Sequence, residues 1–304
     1  MRDGYLVFDA HAHIEVRPRV VFGGRNGQMP TERLVAQMDD CGIDAALVIA
    51  HAWAGWTIDQ YREEHDVVAD EISRHPGRLF GACWSDPTLG AEAVAELERA
   101  VTQLGYLAVK LHPVYQRFVF DGPVVAPIVD AARQLGIPVI AHMDLRVPGC
   151  EPWRMVRLAR QHPDVQFVMA HMGRDARSLQ DLSFAYAARD VKNVMLEGSS
   201  TTTDAYGTFQ GSSEVVGADR VLFAADAGAF HHPAVNLLKL DLLELDRATK
   251  AQIFGLNALR VFNISETLIE RCQDRQRGVF VTALGQQSYP VPAGAIQGRS
   301  GAGA

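Results

Sequence analysis

The sequence predicts an α/β fold of the (β/α)₈ or TIM-barrel class, and three observations predict it. Short apolar runs rich in β-branched residues recur along the chain, a stretch of helical periodicity follows them, and successive run ends lie about 30 residues apart, the length of one strand plus one helix. Such runs, bounded by polar turn residues, read as buried strands. An open doubly wound sheet is the alternative that the same repeat allows.

Taken in order, the runs are YLVFDAHAH, IDAALVIAH, RLFGACW, YLAVKLH, IPVIAH, VQFVMAH, VKNVMLE and RVLFAAD, and they end at His13, His51, Trp84, His112, His142, His171, Glu197 and Asp226. Helical patterns between them include TERLVAQMDDCG, AEAVAELERAVTQLG and APIVDAARQLG; the last two close on Gly105 and Gly136, which suit a left-handed cap. The stretch TTTDAYGTFQGSSEVVG before the eighth run carries little helical periodicity. Residues Leu237 to Phe262 read as the final helices. The expected organisation is a single barrel domain over residues 1–265 and a C-terminal extension over 266–304, rich towards its end in Gly, Ala and Pro. That extension is expected to be partly flexible or to pack on a second copy in a homo-oligomer.

With 304 residues, 48% of them hydrophobic and 21% charged, the chain has the composition of an ordinary globular protein. A formal net charge of −7 argues against a nucleic-acid or anionic-membrane surface, both of which want basic patches. A small-molecule substrate is the expected partner. No apolar run approaches membrane-spanning length, and the start of the chain lacks a secretory h-region. Cys41, Cys83, Cys150 and Cys272 are far apart without a C-x-x-C pair, so neither a disulfide framework nor a thiolate zinc site is indicated and a cytoplasmic location is expected.

The C-terminal ends of barrel strands form the catalytic face, and His11, His13, His51, His112, His142 and His171 all stand there. Residues two apart on a strand share a face and lie roughly 6.6 Å apart, so His11 and His13 can converge on one ion. With His142 from the fifth strand and Asp226 from the eighth, they supply three imidazoles and a carboxylate. This set suits zinc, with manganese or iron as alternatives. Such an ion would make water a nucleophile at neutral pH, and Asp226 could take its proton. His65, His75 and His162 fall on helices or their ends and read as structural. His231 and His232 follow the eighth strand and read either as pocket residues or as plain loop residues before Pro233.

Asp9-Ala10-His11-Ala12-His13, the strand ends AHMD, AHMG and RVLFAAD, and the closing GLNALRVF resemble the amidohydrolase superfamily over about residues 5 to 265. The branch they resemble is the amidohydrolase-related one, which holds metal-dependent hydrolases and non-oxidative decarboxylases such as the aminocarboxymuconate semialdehyde and γ-resorcylate enzymes. The resemblance implies that His11, His13, His142 and Asp226 are metal ligands. It implies that His171 acts on the substrate in a one-metal site, or binds the second ion in a two-metal site. Lys110 matches a lysine that some members carboxylate to bridge two ions. One ion is favoured over two. The eighth strand reads Ala224-Ala225-Asp226 where relatives often have Gly-Ser-Asp, so substrate contacts from the following loop cannot be carried over.

For the substrate, His51, His112, Trp53 and Trp56 are candidate walls. Arg17, Arg19, Arg146 and Arg174 are candidate carboxylate clamps, Arg146 foremost because it follows His142 closely. FGGRNGQ reads as a mobile loop rather than a phosphate loop. The expected function is a metal-dependent hydrolase of an ester, lactone or amide. The alternative is a non-oxidative decarboxylase (carboxy-lyase) or hydratase of a small carboxylic acid on the same metal site, which an arginine clamp near the metal would favour. A non-catalytic barrel is disfavoured by the number of potential ligands facing one end.

Overall fold

The computed structural model describes residues 4–15, 29–50, 55–173, 182–200, 206–228, 231–267 and 269. Eight strands, β1 (Phe8–Ile14), β2 (Ala45–Ala50), β3 (Leu79–Trp84), β4 (Ala108–Leu111), β5 (Val139–His142), β6 (Phe167–Ala170), β7 (Val194–Glu197) and β8 (Val221–Leu222), lie side by side in chain order. All neighbouring pairs are parallel. The two edges meet: Ala10 N–H donates to Phe223 O (3.0 Å), Asp226 N–H to His11 O (2.7 Å) and His13 N–H to Ala227 O (2.7 Å). These bonds close the sheet on itself, so the fold is the (β/α)₈ barrel and not the open sheet.

Strand alternation divides the core in two. Phe8, Ala10, Leu47, Ile49, Ile140, Val168, Met195 and Leu222 fill the barrel, whereas Val7, Val48, Val109, Phe167 and Leu196 face the surrounding helices. Helix Ala91–Leu104 and helix Ala126–Leu135 end at Gly105 (φ 77°) and Gly136 (φ 68°) in the left-handed region, as expected. Asn257, in the closing GLNALRVF segment, donates to Ala218 O (2.7 Å) and Val221 O (2.8 Å), tying the last helix to the foot of β8. A side chain at Gly255 would meet Leu6 O at 2.6 Å.

Two local features depart from the sequence expectation. The stretch with weak periodicity is a helix, Tyr206–Val216. Its buried side includes Phe209, Ser212 and Ser213, with Ser213 Oγ–H donating back to Phe209 O (2.8 Å), so small polar residues hide the apolar stripe that a hydropathy reading seeks. Secondly, β1 is bulged. Asp9 pairs with Ala46 but Ala12 with Val48, which leaves one extra residue on β1. Simple alternation from Phe8 and Ala10, both inside the barrel, would send His11 outward. The bulge resets the alternation, so that Ala12 and Ile14 join the outer core and His11 and His13 face in.

Candidate active site

Asp9 explains how the bulge is held. Its Oδ1 accepts from His11 N–H (3.1 Å) and from Ala225 N–H (2.8 Å), so one carboxyl oxygen pins β1 to the segment after β8 that carries Asp226. Burial pushes the Asp9 carboxyl up to about 8, against the backbone hydrogen bonds that favour its anion. The aspartate of the DAHAH segment is thus a clip behind the histidines.

In front of it, three donor atoms converge. His11 Nε2 lies 3.1 Å from His13 Nε2, His13 Nε2 lies 3.0 Å from Asp226 Oδ1, and His11 Nε2 lies 3.8 Å from the same oxygen. The other ring nitrogens fix the tautomers. His13 Nδ1 is 2.7 Å from Ile49 O, a carbonyl that can only accept, and His11 Nδ1 is 2.7 Å from Glu197 Oε1. Both Nδ1 atoms therefore carry hydrogen and both Nε2 atoms point inward as acceptors. Three acceptors at these separations repel unless something positive sits among them. A single proton on His13 can serve one neighbour at a time, whereas a divalent cation satisfies all three. Ligands about 2.1 Å from an ion and 90–110° apart are themselves roughly 3.0–3.4 Å apart, which the first two separations match.

Glu197, at the end of β7 and wholly buried, organises the second layer. Besides His11 it accepts from Ser199 N–H (2.7 Å), Ser199 Oγ–H (2.9 Å) and His171 N–H (3.3 Å). Ser199 spends its proton on Glu197, so its Oγ accepts from His171 Nδ1 (2.9 Å), as does its carbonyl (3.2 Å). His171 is consequently a third Nδ1–H imidazole. His11, His171 and Glu197 also form a compact group of metal-ligating types, but hydrogen bonds already join them, and the group reads as support for the His11–His13–Asp226 cluster. The sequence reading missed Glu197 and Ser199. Their signal was position: Glu197 ends a strand run, as His142 and Asp226 do.

Burial pulls the imidazoles of His11 and His171 well below their ordinary range. Desolvation works against ionising Asp226, but the neighbouring imidazoles of His13, His11 and His171 outweigh it and hold the carboxyl well below its usual range. Lys110 places Nζ 3.2 Å from His11 Nε2, and burial brings its ammonium down to about 8 despite Glu197 and Asp226. Both His171 (φ 61°) and Asp226 (φ 53°) sit in the left-handed region, as do Met172 (φ 49°) and Ser200 (φ 47°) on the same rim, a conformation that non-glycine residues adopt at a cost.

His142 stands one ring further round. Its centroid is 4.8 Å from that of His171 and 4.0 Å from that of His112, and among the described residues it is not part of the His11–His13–Asp226 group. His112 is parallel to His142 (10°) and to Tyr115 (8°, 3.9 Å). Two rings so close and parallel to a third can occupy only its opposite faces, so Tyr115, His112 and His142 form a three-ring stack, with Trp84 also parallel at 5.9 Å.

Of the other expected residues, Arg146 grips Asp144 through Nε (3.0 Å) and Nη2 (2.7 Å), so its fork is engaged within its own loop. Trp56 meets Tyr61 edge-on at 5.5 Å. His51, Trp53, Arg17, Arg19, Arg174 and the FGGRNGQ loop lie outside the described residues, as does most of the 266–304 extension. His231 reaches Ser200 Oγ (3.0 Å) and lies 3.8 Å from Asp226 Oδ2. His232 caps the helix Pro233–Asp241, and His65 pairs with Glu96 (2.7 Å) among the helices. No helix among the described residues is long and apolar enough to cross a membrane.

Known proteins share this family and this barrel fold. A family model described as amidohydrolase matches residues 8–264. A γ-resorcylate decarboxylase from Rhodococcus jostii (strain RHA1) is 25% identical, the match covering 66% of this chain and 78% of that protein. The crystal structure of 5-carboxyvanillate decarboxylase from Sphingomonas paucimobilis superposes with a TM-score of 0.69 at 19% identity, covering 86% of this chain and all of the other. That of a dihydroxybenzoic acid decarboxylase from Polaromonas sp. JS666, solved with manganese and the inhibitor 2-nitroresorcinol, gives 0.67 at 18% identity, covering 87% and 99%.

Proposed function

The chain belongs to the amidohydrolase family, and from that premise we propose that it is a metal-dependent, non-oxidative decarboxylase of a small hydroxylated aromatic carboxylic acid. The observation that carries this reading is the convergence of His11 Nε2, His13 Nε2 and Asp226 Oδ1 on one point beside a wall of parallel rings. The first supplies a cation site and the second an aromatic wall of the kind that lines small-molecule sites. The decarboxylase names of the relatives support it over hydrolysis, the reading favoured by sequence alone. Of the candidate clamps, Arg146 is engaged by Asp144 and Arg17, Arg19 and Arg174 lie outside the described residues, so this reading does not rest on an arginine clamp.

His11, His13 and Asp226 would hold the ion, with His142 as the further ligand and manganese or zinc as the occupant. When bound, a divalent cation supplies Lewis acidity that fixes the acid's oxygens and withdraws electron density. The chain's own residues handle the proton. Asp226 is ionised at neutral pH, so it must accept a proton before it can give one. The substrate hydroxyl supplies that proton. Asp226 then delivers it to the ring carbon that bears the carboxylate, the carbon–carboxylate bond breaks, its electron pair restores the aromatic ring, and carbon dioxide leaves. His171, with its Nε2 lone pair inward, serves as an acceptor in this scheme and not as the initial acid.

The test is to load the protein with manganese or zinc and follow carbon dioxide release from 2,6-dihydroxybenzoate and 5-carboxyvanillate. Turnover with about one ion per chain, by elemental analysis, is expected. Hydrolysis of aryl esters or lactones without decarboxylation of either acid would replace this reading with the hydrolase.

A further inference from the structure

His112 is restrained on every side but one. Its backbone N–H donates to Gln116 Oε1 (2.9 Å), and Gln116 is itself fastened to Ser85 O (2.9 Å) and the Tyr61 hydroxyl (3.2 Å). The imidazole faces are covered by Tyr115 and His142. Its Nδ1 accepts the Tyr115 backbone N–H (3.3 Å), which can only donate. A neutral imidazole bonded in this way carries its hydrogen on Nε2, the tip of the ring. His112 directly follows β4, two residues beyond Lys110, whose Nζ reaches His11, and its stack on His142 at the end of β5 sets the ring at the barrel mouth. The tip has no hydrogen-bond partner among the described residues.

We propose that His112 is a specificity-determining residue whose Nε2–H hydrogen-bonds an oxygen of the bound acid remote from the metal cluster. This rests on the decarboxylase reading for the identity of the acid. The recognition chemistry is that of a neutral, fixed donor: it favours a ring oxygen acceptor, such as a phenolate or a second carboxylate, and the ring stack holds the donor's plane while the substrate is in place. Because three imidazoles across the mouth present lone pairs, a substrate that bridges the two sides must offer both an oxygen set for the cation and an acceptor for His112.

Two variants separate this role from simple capping of the Pro113–Gln116 turn. His112→Asn can keep an acceptor where Nδ1 stands but has no donor at the tip, whereas His112→Gln places an amide N–H near the Nε2 position and gives up the cap. With metal-loaded full-length protein and 5-carboxyvanillate, which carries a second carboxylate, the Gln variant is expected to keep KM within a few-fold, and the Asn variant to raise KM about tenfold or more with little change in kcat, as loss of one hydrogen bond to a charged group implies. The reverse order, Asn like wild type and Gln impaired, would reduce His112 to a cap and overturn the proposal while leaving the decarboxylase reading intact. If wild type hydrolyses a lactone or ester and decarboxylates nothing, the decarboxylase reading falls, and the same Gln-against-Asn order in KM on that substrate decides His112. A wild type that turns over none of these compounds overturns both.

Discussion

Around the barrel mouth His11, His13 and His171 each give a proton outward from Nδ1, whereas His112, stacked on His142, receives one there. All four are buried imidazoles at strand ends. A carboxylate, two carbonyls and one backbone N–H decide which of them presents a lone pair to the cavity and which a hydrogen. The difference teaches that the chemistry of such a site is set one layer back, by atoms that never meet the substrate.

The largest effect expected from breaking this arrangement is on the lone-pair side. Asp226→Asn removes the proposed proton carrier and one proposed ligand oxygen, and turnover should fall roughly 10³-fold; a loss of only a few-fold would remove Asp226 from the proton path. Next comes Glu197→Gln, which keeps the shape but weakens the acceptor behind His11 and Ser199. Ion affinity, titrated on chelator-stripped protein, is expected to drop about 10- to 100-fold, and unchanged affinity would mean that Glu197 does not orient His11. His112→Asn should leave that affinity at the wild-type value, since its effect belongs to KM; a loss of metal instead would join the two sides that the hydrogen bonds keep apart. Smallest of all, Asn257→Ala strands the carbonyls of Ala218 and Val221 and is expected to cost about 1–3 kcal/mol of stability. Thermal unfolding would show it as a Tm lowered by several degrees, with ion content per chain unaltered.

Much of this architecture was legible in the sequence. The strand–helix repeat led to the barrel because buried parallel strands must be apolar throughout, and Gly105 and Gly136 marked helix ends because little else tolerates φ near +70°. His11, His13 and Asp226 were legible because strand ends meet at one face whatever the loops do. The bulge in β1 was not. It depends on one extra residue between Asp9 and Ala12 that pairs with nothing, and the simple alternation that brings the two histidines together takes no account of it. Glu197 and Ser199 escaped for a related reason: their importance lies in whom they bond across the barrel, His11 at one remove and His171 at another, and no local pattern records that. The helix Tyr206–Val216 was obscured by serine and glycine on its packed side, where a Cβ at Gly211 would meet the tip of Leu182 at 2.6 Å.

The left-handed backbone at His171, Met172, Ser200 and Asp226 bears on anyone who would re-engineer this barrel. Each of these residues holds a conformation that glycine would adopt more readily, at a penalty of the order of 1 kcal/mol, so a redesign scored on thermal robustness alone would be drawn to the rim of the proposed site. Stabilising substitutions are better sought on the outer helices and in the shell around Asn257, leaving the strained rim of the mouth as it is.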